Sequence, residues 1–347
     1  MSLDSQKPSE EHLEPNIGFV SNPHAAHRHY PESFPLDGIN VIRGFFMGAA
    51  NIVPGVSGGT VALVLGHYQR LIDAVSHVDS QLAAHVISRR WKAAWDYVDA
   101  RFLLAIGCGV VLGSVALAGM INWLFNFHMS ETFAVFFGMI LASVLIVRRQ
   151  VTHWTTRCFV ACAAGAFVAV MVGRLSPTDG GDSLVYLFLS AAVAICAMIL
   201  PGISGAFILL MLGVYHPITG LIKNMAKGQI DFPSVLQFGV FALGCLFGLL
   251  AFSRILSWML DHHRDVTMAA LVGLMVGSVE KLCPLQVPTT ETAGLKMKER
   301  VMQYISPGDW NGSLLWLVAL AIGAAAFVLV LERVATPKVV TGHEIDG

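Results

Sequence analysis

Apolar positions in this chain come in long runs, and charged positions are confined to short stretches between them. Between Phe102 and Val147 the only Asp, Glu, Lys or Arg is Glu131, and between Ser183 and Ile222 there is none. Residues 158–173, 232–253, 266–279 and 312–331 are equally free of charge. About 20 apolar residues in a helix cover a hydrocarbon core of roughly 30 Å. The pattern therefore predicts an all-α polytopic membrane protein. Composition agrees: 55% of residues are hydrophobic and 13% charged, about half the roughly 25% of an ordinary soluble domain. Mean hydropathy is +0.65. A soluble multidomain enzyme is excluded. A net charge of −1 with no basic stripe excludes a nucleic-acid binder.

Residues 1–37 are polar, rich in Pro, His and Glu, and lack the apolar core of a secretory signal. They are expected to form a disordered cytoplasmic tail, and 335–347 a short C-terminal tail. The six cysteines lie in or beside apolar runs without a CxxC pair and read as small packing residues. No metal or cofactor pattern is present, and the histidines make no HxxxH or HExxH spacing.

The chain repeats itself. NIVPGVSGGTVALVLGHY (51–68) and MILPGISGAFILLMLGVY (198–215) align at an offset of 147. Pro54, Gly55, Ser57, Gly58, Leu65, Gly66 and Tyr68 match Pro201, Gly202, Ser204, Gly205, Leu212, Gly213 and Tyr215. At an offset of 135, Gly109, Gly113, Trp123, His128, Thr132, Gly138 and Ser143 match Gly244, Gly248, Trp258, His263, Thr267, Gly273 and Ser278. A weaker third block sets 160–170 beside 318–328. The halves are drawn as 38–180 and 181–334.

Each motif carries Pro-Gly in mid-run. Proline lacks an N–H and glycine tolerates any φ, so a continuous helix breaks there. From Pro54 to Gly66 is about 20 Å of helix, too short to span comfortably. The expectation is one re-entrant helical hairpin plus three transmembrane helices per half. An odd number of crossings inverts the second half, an inverted-topology repeat. The basic residues Arg70, Arg89, Arg90, Lys92 and Arg101, and Arg148, Arg149 and Arg157, assign segments 67–101 and 148–157 to the cytoplasm. Segment 126–131 is then external and 261–265 internal. The basic stretch 296–300 falls outside, against the rule, in a long loop where the rule is weak.

Two broken helices meeting near the midplane offer N–H groups without partners and the positive ends of helix dipoles, which favour an anion. The expected phosphate-binding residues are Arg43, Asn51, Pro54, Gly55, Ser57, Gly58, Gly59 and Thr60 of the first motif region. Pro201, Gly202, Ser204 and Gly205 are those of the second. The alternative is that the glycines serve close helix packing and the serines cap helix ends. Arg43 can neutralise a headgroup or snorkel to the interface. Arg254, His67 and His216 are auxiliary candidates, with snorkelling for the arginine and interfacial hydrogen bonding for the histidines as plainer readings. No activated nucleophile or paired intramembrane carboxylate is present, and no catalytic residue is assigned.

On GAANIVPGVSGGTVALVLGHYQRLI (48–72), ICAMILPGISGAFILLMLGVYHPI (195–218) and GLMVGSVEKLCP (273–284), the chain resembles a family long catalogued as a domain of unknown function. Members of that family are described as polyprenyl-phosphate transporters. The resemblance covers 38–333. It implies movement of undecaprenyl phosphate from the outer to the cytoplasmic leaflet of a bacterial inner membrane, recycling the carrier lipid of cell-wall synthesis. The chain departs from the family pattern at Asn51, where an Asp is usual, and at Gln69 and His216, where an acidic residue is common. It departs again at Glu280, where a basic residue is usual, and at Cys283, where a Trp is. The rival readings are an integral-membrane lipid phosphatase and a transporter of a small soluble anion.

Overall fold

The computed structural model describes residues 34–52, 57–175, 178, 180–181, 183–229, 231–292, 294–295 and 300–335. The helices of the first half are α1 (Phe34–Ala50), α2 (Gly58–Val64), α3 (Tyr68–Ser76), α4 (Ser80–Ile87), α5 (Trp91–Tyr97), α6 (Ala100–Phe127), α7 (Met129–Val147) and α8 (Thr156–Gly173). Those of the second are α9 (Leu184–Ile199), α10 (Gly205–Met211), α11 (Tyr215–Ala226), α12 (Phe232–His262), α13 (Arg264–Ser278) and α14 (Leu314–Ala335). One antiparallel strand pair, β1 (Gln286–Pro288) and β2 (Met302–Tyr304), lies between α13 and α14. The helix α1 starts inside the segment expected as a tail, so 34–37 are helical; 1–33 and 336–347 lie outside the described residues.

Among the described residues, four helices are long and apolar enough to cross a bilayer: Ala100–Phe127, Met129–Gln150, Thr156–Gly173 and Phe232–His262. Leu184–Ile199 and Leu314–Val330 are shorter apolar helices. The surface is apolar too. On α6, Leu104, Val111, Leu112 and Val115 are exposed, as are Leu243, Leu246 and Phe247 on α12. Buried polar side chains such as Ser57, Thr60, His67, Ser143, Ser190 and Ser278 lie inside. An apolar exterior around a partly polar interior is the arrangement hydrocarbon favours. The molecule is a multi-pass membrane protein.

The sequence repeat reappears as repeated local geometry. His128 and His263 both precede a helix, at φ −137°, ψ 50° and φ −135°, ψ 44°. The carbonyl of each accepts from a threonine hydroxyl one turn later, Thr132 at 2.5 Å and Thr267 at 2.9 Å. Each imidazole also rests against the matched tryptophan, Trp123 or Trp258. Gly66 and Gly213, just past α2 and α10, share the left-handed φ of +73° and +69° that lets the chain turn sharply. At the second turn α10 and α11 meet at 108°.

Glycines set the close helix pairs. A Cβ on Gly109 or Gly113 of α6 would overlap the α1 carbonyls of Val41 or Phe45. The matched Gly244 and Gly248 of α12 face Phe188 and Ala192 of α9 in the same way. Gly138 of α7 lies on Ala321 of α14, and its match Gly273 of α13 on Cys162 of α8. Thus α7 pairs with a helix of the other half, and so does α13. Backbones that approach this closely gain dispersion contacts that larger side chains would prevent.

Two groups of polar contacts mark the bundle's ends. At one, Arg254 Nη2 donates to the Val78 carbonyl (2.7 Å), Ser257 to Asp73 (2.9 Å), and the Thr152 and His153 N–H groups to Asp265. Arg101 pairs with Asp37 there. At the other, Arg174 pairs with Glu280 (3.1 Å), Arg300 donates to Asn126 (2.9 Å), and the Tyr186 hydroxyl donates to the Leu212 carbonyl (2.8 Å). The six cysteines are all free thiols.

Gly138→Ala and Gly273→Ala are each expected to destabilise the purified protein by about 1–3 kcal/mol from overpacking, read as a lower thermal midpoint. At Gly107 and Gly119 an added Cβ meets nothing within 4 Å. Alanine there is expected to be neutral, or to gain up to about 1 kcal/mol of helix propensity. Equal midpoints for all four variants would remove the packing role of the glycines.

Candidate functional site

The two motif segments come together in the interior. In the second, α9 ends with Leu200 extended (φ −68°, ψ 135°) and Gly202 left-handed at φ +83°. Pro201 supplies no N–H, so the helix breaks where the sequence predicts. Gly202 lies against α13, where a Cβ would come 2.8 Å from the Leu274 carbonyl oxygen and 3.0 Å from Ser278 Oγ. In the first, α1 ends at Ala50 and α2 begins at Gly58. Pro54 and Gly55 lie outside the described residues.

The N–H groups of Gly58, Gly59 and Thr60 at the first tip are engaged, which corrects the expectation of free N–H groups at those three positions. Asn51 Oδ1 accepts from the Gly58 N–H at 2.7 Å. Ser57 is the N-cap of α2, and its Oγ accepts from the Gly59 N–H at 3.0 Å. The Thr60 N–H reaches the Ser57 carbonyl at 2.9 Å. The physical reason is that a buried N–H without a partner costs about 1–3 kcal/mol, so polar side chains are recruited to it.

The first tip also holds the second. The Ser57 hydroxyl donates to the Met198 carbonyl (3.1 Å), and Tyr68 Oη to the Ile199 carbonyl (3.3 Å). In the opposite sense, the Gly202 N–H donates to Thr60 Oγ1 (3.1 Å). Gly59 permits the approach, since a Cβ there would overlap the Ile199 carbonyl. Ser57, Gly58, Gly59, Thr60, Pro201, Gly202 and Gly205 are all buried. The bonding is not symmetric. Asn51 and Thr60 align with Met198 and Phe207, and Ser204, half-buried, makes no side-chain cap for α10. The polar side chains sit on the first tip, and the second answers with backbone.

A polar stripe runs down α1 to the first tip. Asn40, Arg43, Met47 and Asn51 are spaced 3, 4 and 4 residues apart, one face of a helix. Arg43 Nη1 donates to Asn40 Oδ1 at 3.1 Å. His67, 3% exposed, sets Nε2 3.3 Å from Met47 Sδ and its ring edge against Phe102. Arg70 pairs with Asp99 at 2.6 Å and lies 4.3 Å above the Phe102 ring. Sequence reasoning missed Asn40, Met47 and Arg70 as neighbours of this site. The spacing of α1 points to the first two, and the three-residue step from His67 to the third.

The other auxiliary candidates lie elsewhere. Arg254 is exposed and joins α12 to Val78 at the end of the bundle. His216 is exposed against the Tyr215 ring at the start of α11. Both are read from sequence spacing, which carries no information on the face they occupy. Among the described residues, no three His, Cys, Asp or Glu side chains form a group able to hold a metal ion.

The model of an undecaprenyl phosphate translocase-like family matches residues 47–299. A polyprenyl-phosphate transporter of Vibrio cholerae serotype O1 is 35% identical over 305 residues, covering 84% of this chain and 94% of that protein. A polyprenyl-phosphate transporter of Staphylococcus aureus is 31% identical over 259 residues, covering 71% and 86%. No solved structure matches the chain.

Thr60→Val preserves shape but removes the acceptor of the buried Gly202 N–H, and Asn51→Leu removes that of Gly58. Each is expected to cost about 1–3 kcal/mol in denaturant unfolding of the purified protein. Thr60→Ser, which keeps the hydroxyl, is expected to recover most of that loss. A Thr60→Val protein as stable as wild type would mean that the crossed bond between the tips carries no stability.

Proposed function

This chain belongs to the undecaprenyl phosphate translocase-like family, and from that membership we propose that it moves polyprenyl phosphate between the two leaflets of a membrane. The names of the family and of these relatives are those of transporters, not of enzymes. The substrate is read as undecaprenyl phosphate, the membrane as the bacterial inner membrane, and the direction as outer to cytoplasmic leaflet, for recycling of the carrier.

The observation that carries the reading is the direct bonding of the two motif regions, in which buried Ser57 donates to the Met198 carbonyl and the buried Gly202 N–H donates to Thr60. Phosphate brings about −1.5 to −2 charges near neutral pH and three acceptor oxygens. Carrying that headgroup through hydrocarbon unaided costs several kcal/mol or more. The same N–H and hydroxyl groups that bond the tips to each other are the right donors for phosphate oxygens. In this reading Asn51, Ser57, Gly58, Gly59 and Thr60 form one face of the site with Pro54 and Gly55. Pro201, Gly202, Ser204 and Gly205 form the other, and Arg43 adds charge. The isoprenoid tail stays in the bilayer.

The architecture proposed is an inverted repeat with a re-entrant hairpin in each half. The α1–α2 pair begins near Arg101 and ends where Gln150 Nε2 reaches the Leu63 carbonyl, both at one end of the bundle. The α9–α10 pair begins at Tyr186 and ends at Leu212, joined by a hydrogen bond at the opposite end. Hairpins entering from opposite sides support this arrangement. Rocking of one half against the other then exposes the tips to each leaflet in turn.

In vesicles reconstituted with the protein, undecaprenyl phosphate is expected to change leaflet faster than in empty vesicles. Ser57→Ala combined with Ser204→Ala is expected to slow it by about tenfold or more. Normal transport by the double variant would overturn the tip assignment. Transport of free phosphate in place of the lipid would favour the small-anion reading.

A further inference from the structure

We propose that Lys281 is a binding station for the phosphate headgroup on the outer side of the second tip. The inference rests on the phosphate-lipid reading above and adds to it a residue that meets the headgroup before the tips do. Lys281 follows α13, in the short 3₁₀ turn Val279–Leu282. Leu274 and Ser278 of α13 are the residues against which Gly202 lies. Lys281 stands three residues past Ser278, about 6 Å further along at the rise of such a turn and on the same face. Its ammonium lies 5.6 Å from the centre of the Phe207 ring, which belongs to α10, two residues past Gly205. This is the end of the bundle where Arg174 pairs with Glu280, opposite the basic segment 67–101.

The side chain is held in place along its length. The buried Gln286 donates from Nε2 to the Lys281 carbonyl at 2.9 Å, and Tyr304 Oη donates to the Glu280 carbonyl at 3.1 Å. The lysine stem runs along Gly173 of α8, where a Cβ would come 2.9 Å from Lys281 Cε. The residue nevertheless stays exposed, so a packed stem delivers an accessible charge to the wall of the second helix pair. Among the described residues that charge makes no hydrogen bond or ion pair, only the contact with the Phe207 ring. Glu280 acts on it, but the Glu280 carboxylate is bonded to Arg174 at 3.1 Å. Two cations and one carboxylate leave a net positive charge beside the second tip. An ammonium carries three donors, and an aromatic face satisfies none of them as a charged oxygen does.

The repeat argues that this cation is not a requirement of the fold. At the offset of 135, Ser278 matches Ser143 and Lys281 falls on Ile146, which is buried. At the offset of 147, Phe207 falls on Thr60. The first half closes the corresponding corner with an aliphatic side chain and carries no cation there. The device is one-sided, and its side is the one from which the proposed movement starts. A headgroup arriving from the outer leaflet meets Lys281 first and the second tip about one turn further in.

The test measures transport of undecaprenyl phosphate against its concentration in vesicles reconstituted with the full-length chain. Lys281→Gln is expected to raise the half-saturating concentration by about tenfold and to leave the maximal rate within about twofold, with Lys281→Arg recovering part of the loss. An unchanged half-saturating concentration overturns the station, and so does a fall in maximal rate alone, which marks a structural residue. Either result leaves the translocation reading standing. Because Lys281→Gln can disturb folding, wild-type protein is also acetylated with and without farnesyl phosphate or inorganic phosphate, and its lysines are followed by mass spectrometry. Farnesyl phosphate is expected to slow modification of Lys281 by about threefold or more relative to the exposed Lys223 and Lys227. Equal protection by inorganic phosphate supports a station that reads phosphate alone, and protection by farnesyl phosphate only supports one that reads the lipid headgroup. Protection by neither overturns the station. If wild type protects Lys281 but moves no undecaprenyl phosphate, the translocation reading falls and the binding site remains.

Discussion

The structure turns on the requirement that backbone broken inside a membrane protein find its hydrogen bonds within the protein. Water is not there to take them, and each orphan group is costly. One helix breaks at Pro201-Gly202, and side chains from the region where α2 and α3 begin satisfy the backbone exposed there. Thr60 receives the Gly202 N–H, Ser57 reaches the Met198 carbonyl, and Tyr68 reaches that of Ile199. These three bonds join residues more than 130 positions apart. The first break is capped by its own Asn51 and Ser57, and the second draws on side chains of the first half.

That dependence needs the surrounding helices to come close, and small residues provide the closeness. Gly59 admits the Ile199 carbonyl, and Gly202 nests on α13. Around them, Gly138 and Gly273 seat α7 and α13 against helices of the opposite half. The halves are thus laced together rather than stacked side by side. In the proposed reading, the site opens by exchanging one set of hydrogen-bond partners for another. Phosphate oxygens accept from the same donors as the carbonyl and hydroxyl acceptors now in use, and more strongly because they are charged.

Much of the frame was legible in the sequence. Charge-free runs mark the spans, Pro-Gly marks the break at Leu200–Ser204, and the shared Trp, His and Thr positions mark the repeated corner at His128 and His263. The site was legible in part. Ser57, Thr60 and Gly202 are at the contact, but their donors are engaged with protein groups. Asn51 holds the first tip rather than standing free. Arg254 and His216 are remote from the tips, because spacing along a chain does not say which face of a distant helix a residue occupies. Arg70 went unrecognised because it lies in a segment whose basic residues read as topology signals.

The sequence by itself determined membrane residence, the duplication, and the helix-breaking chemistry. These follow from hydropathy and from the local properties of proline and glycine, which act over a few residues. Only the tertiary structure decided how the duplicated motifs bond. Identical Pro-Gly-x-Ser-Gly cores play unequal parts, since Asn51 and Thr60 have Met198 and Phe207 as counterparts. The first tip supplies side chains, and the second supplies backbone. It also decided that Arg43 and His67, 24 residues apart, flank Met47 on one side of the bundle only. Such pairings depend on long-range packing, which no local rule of the chain encodes.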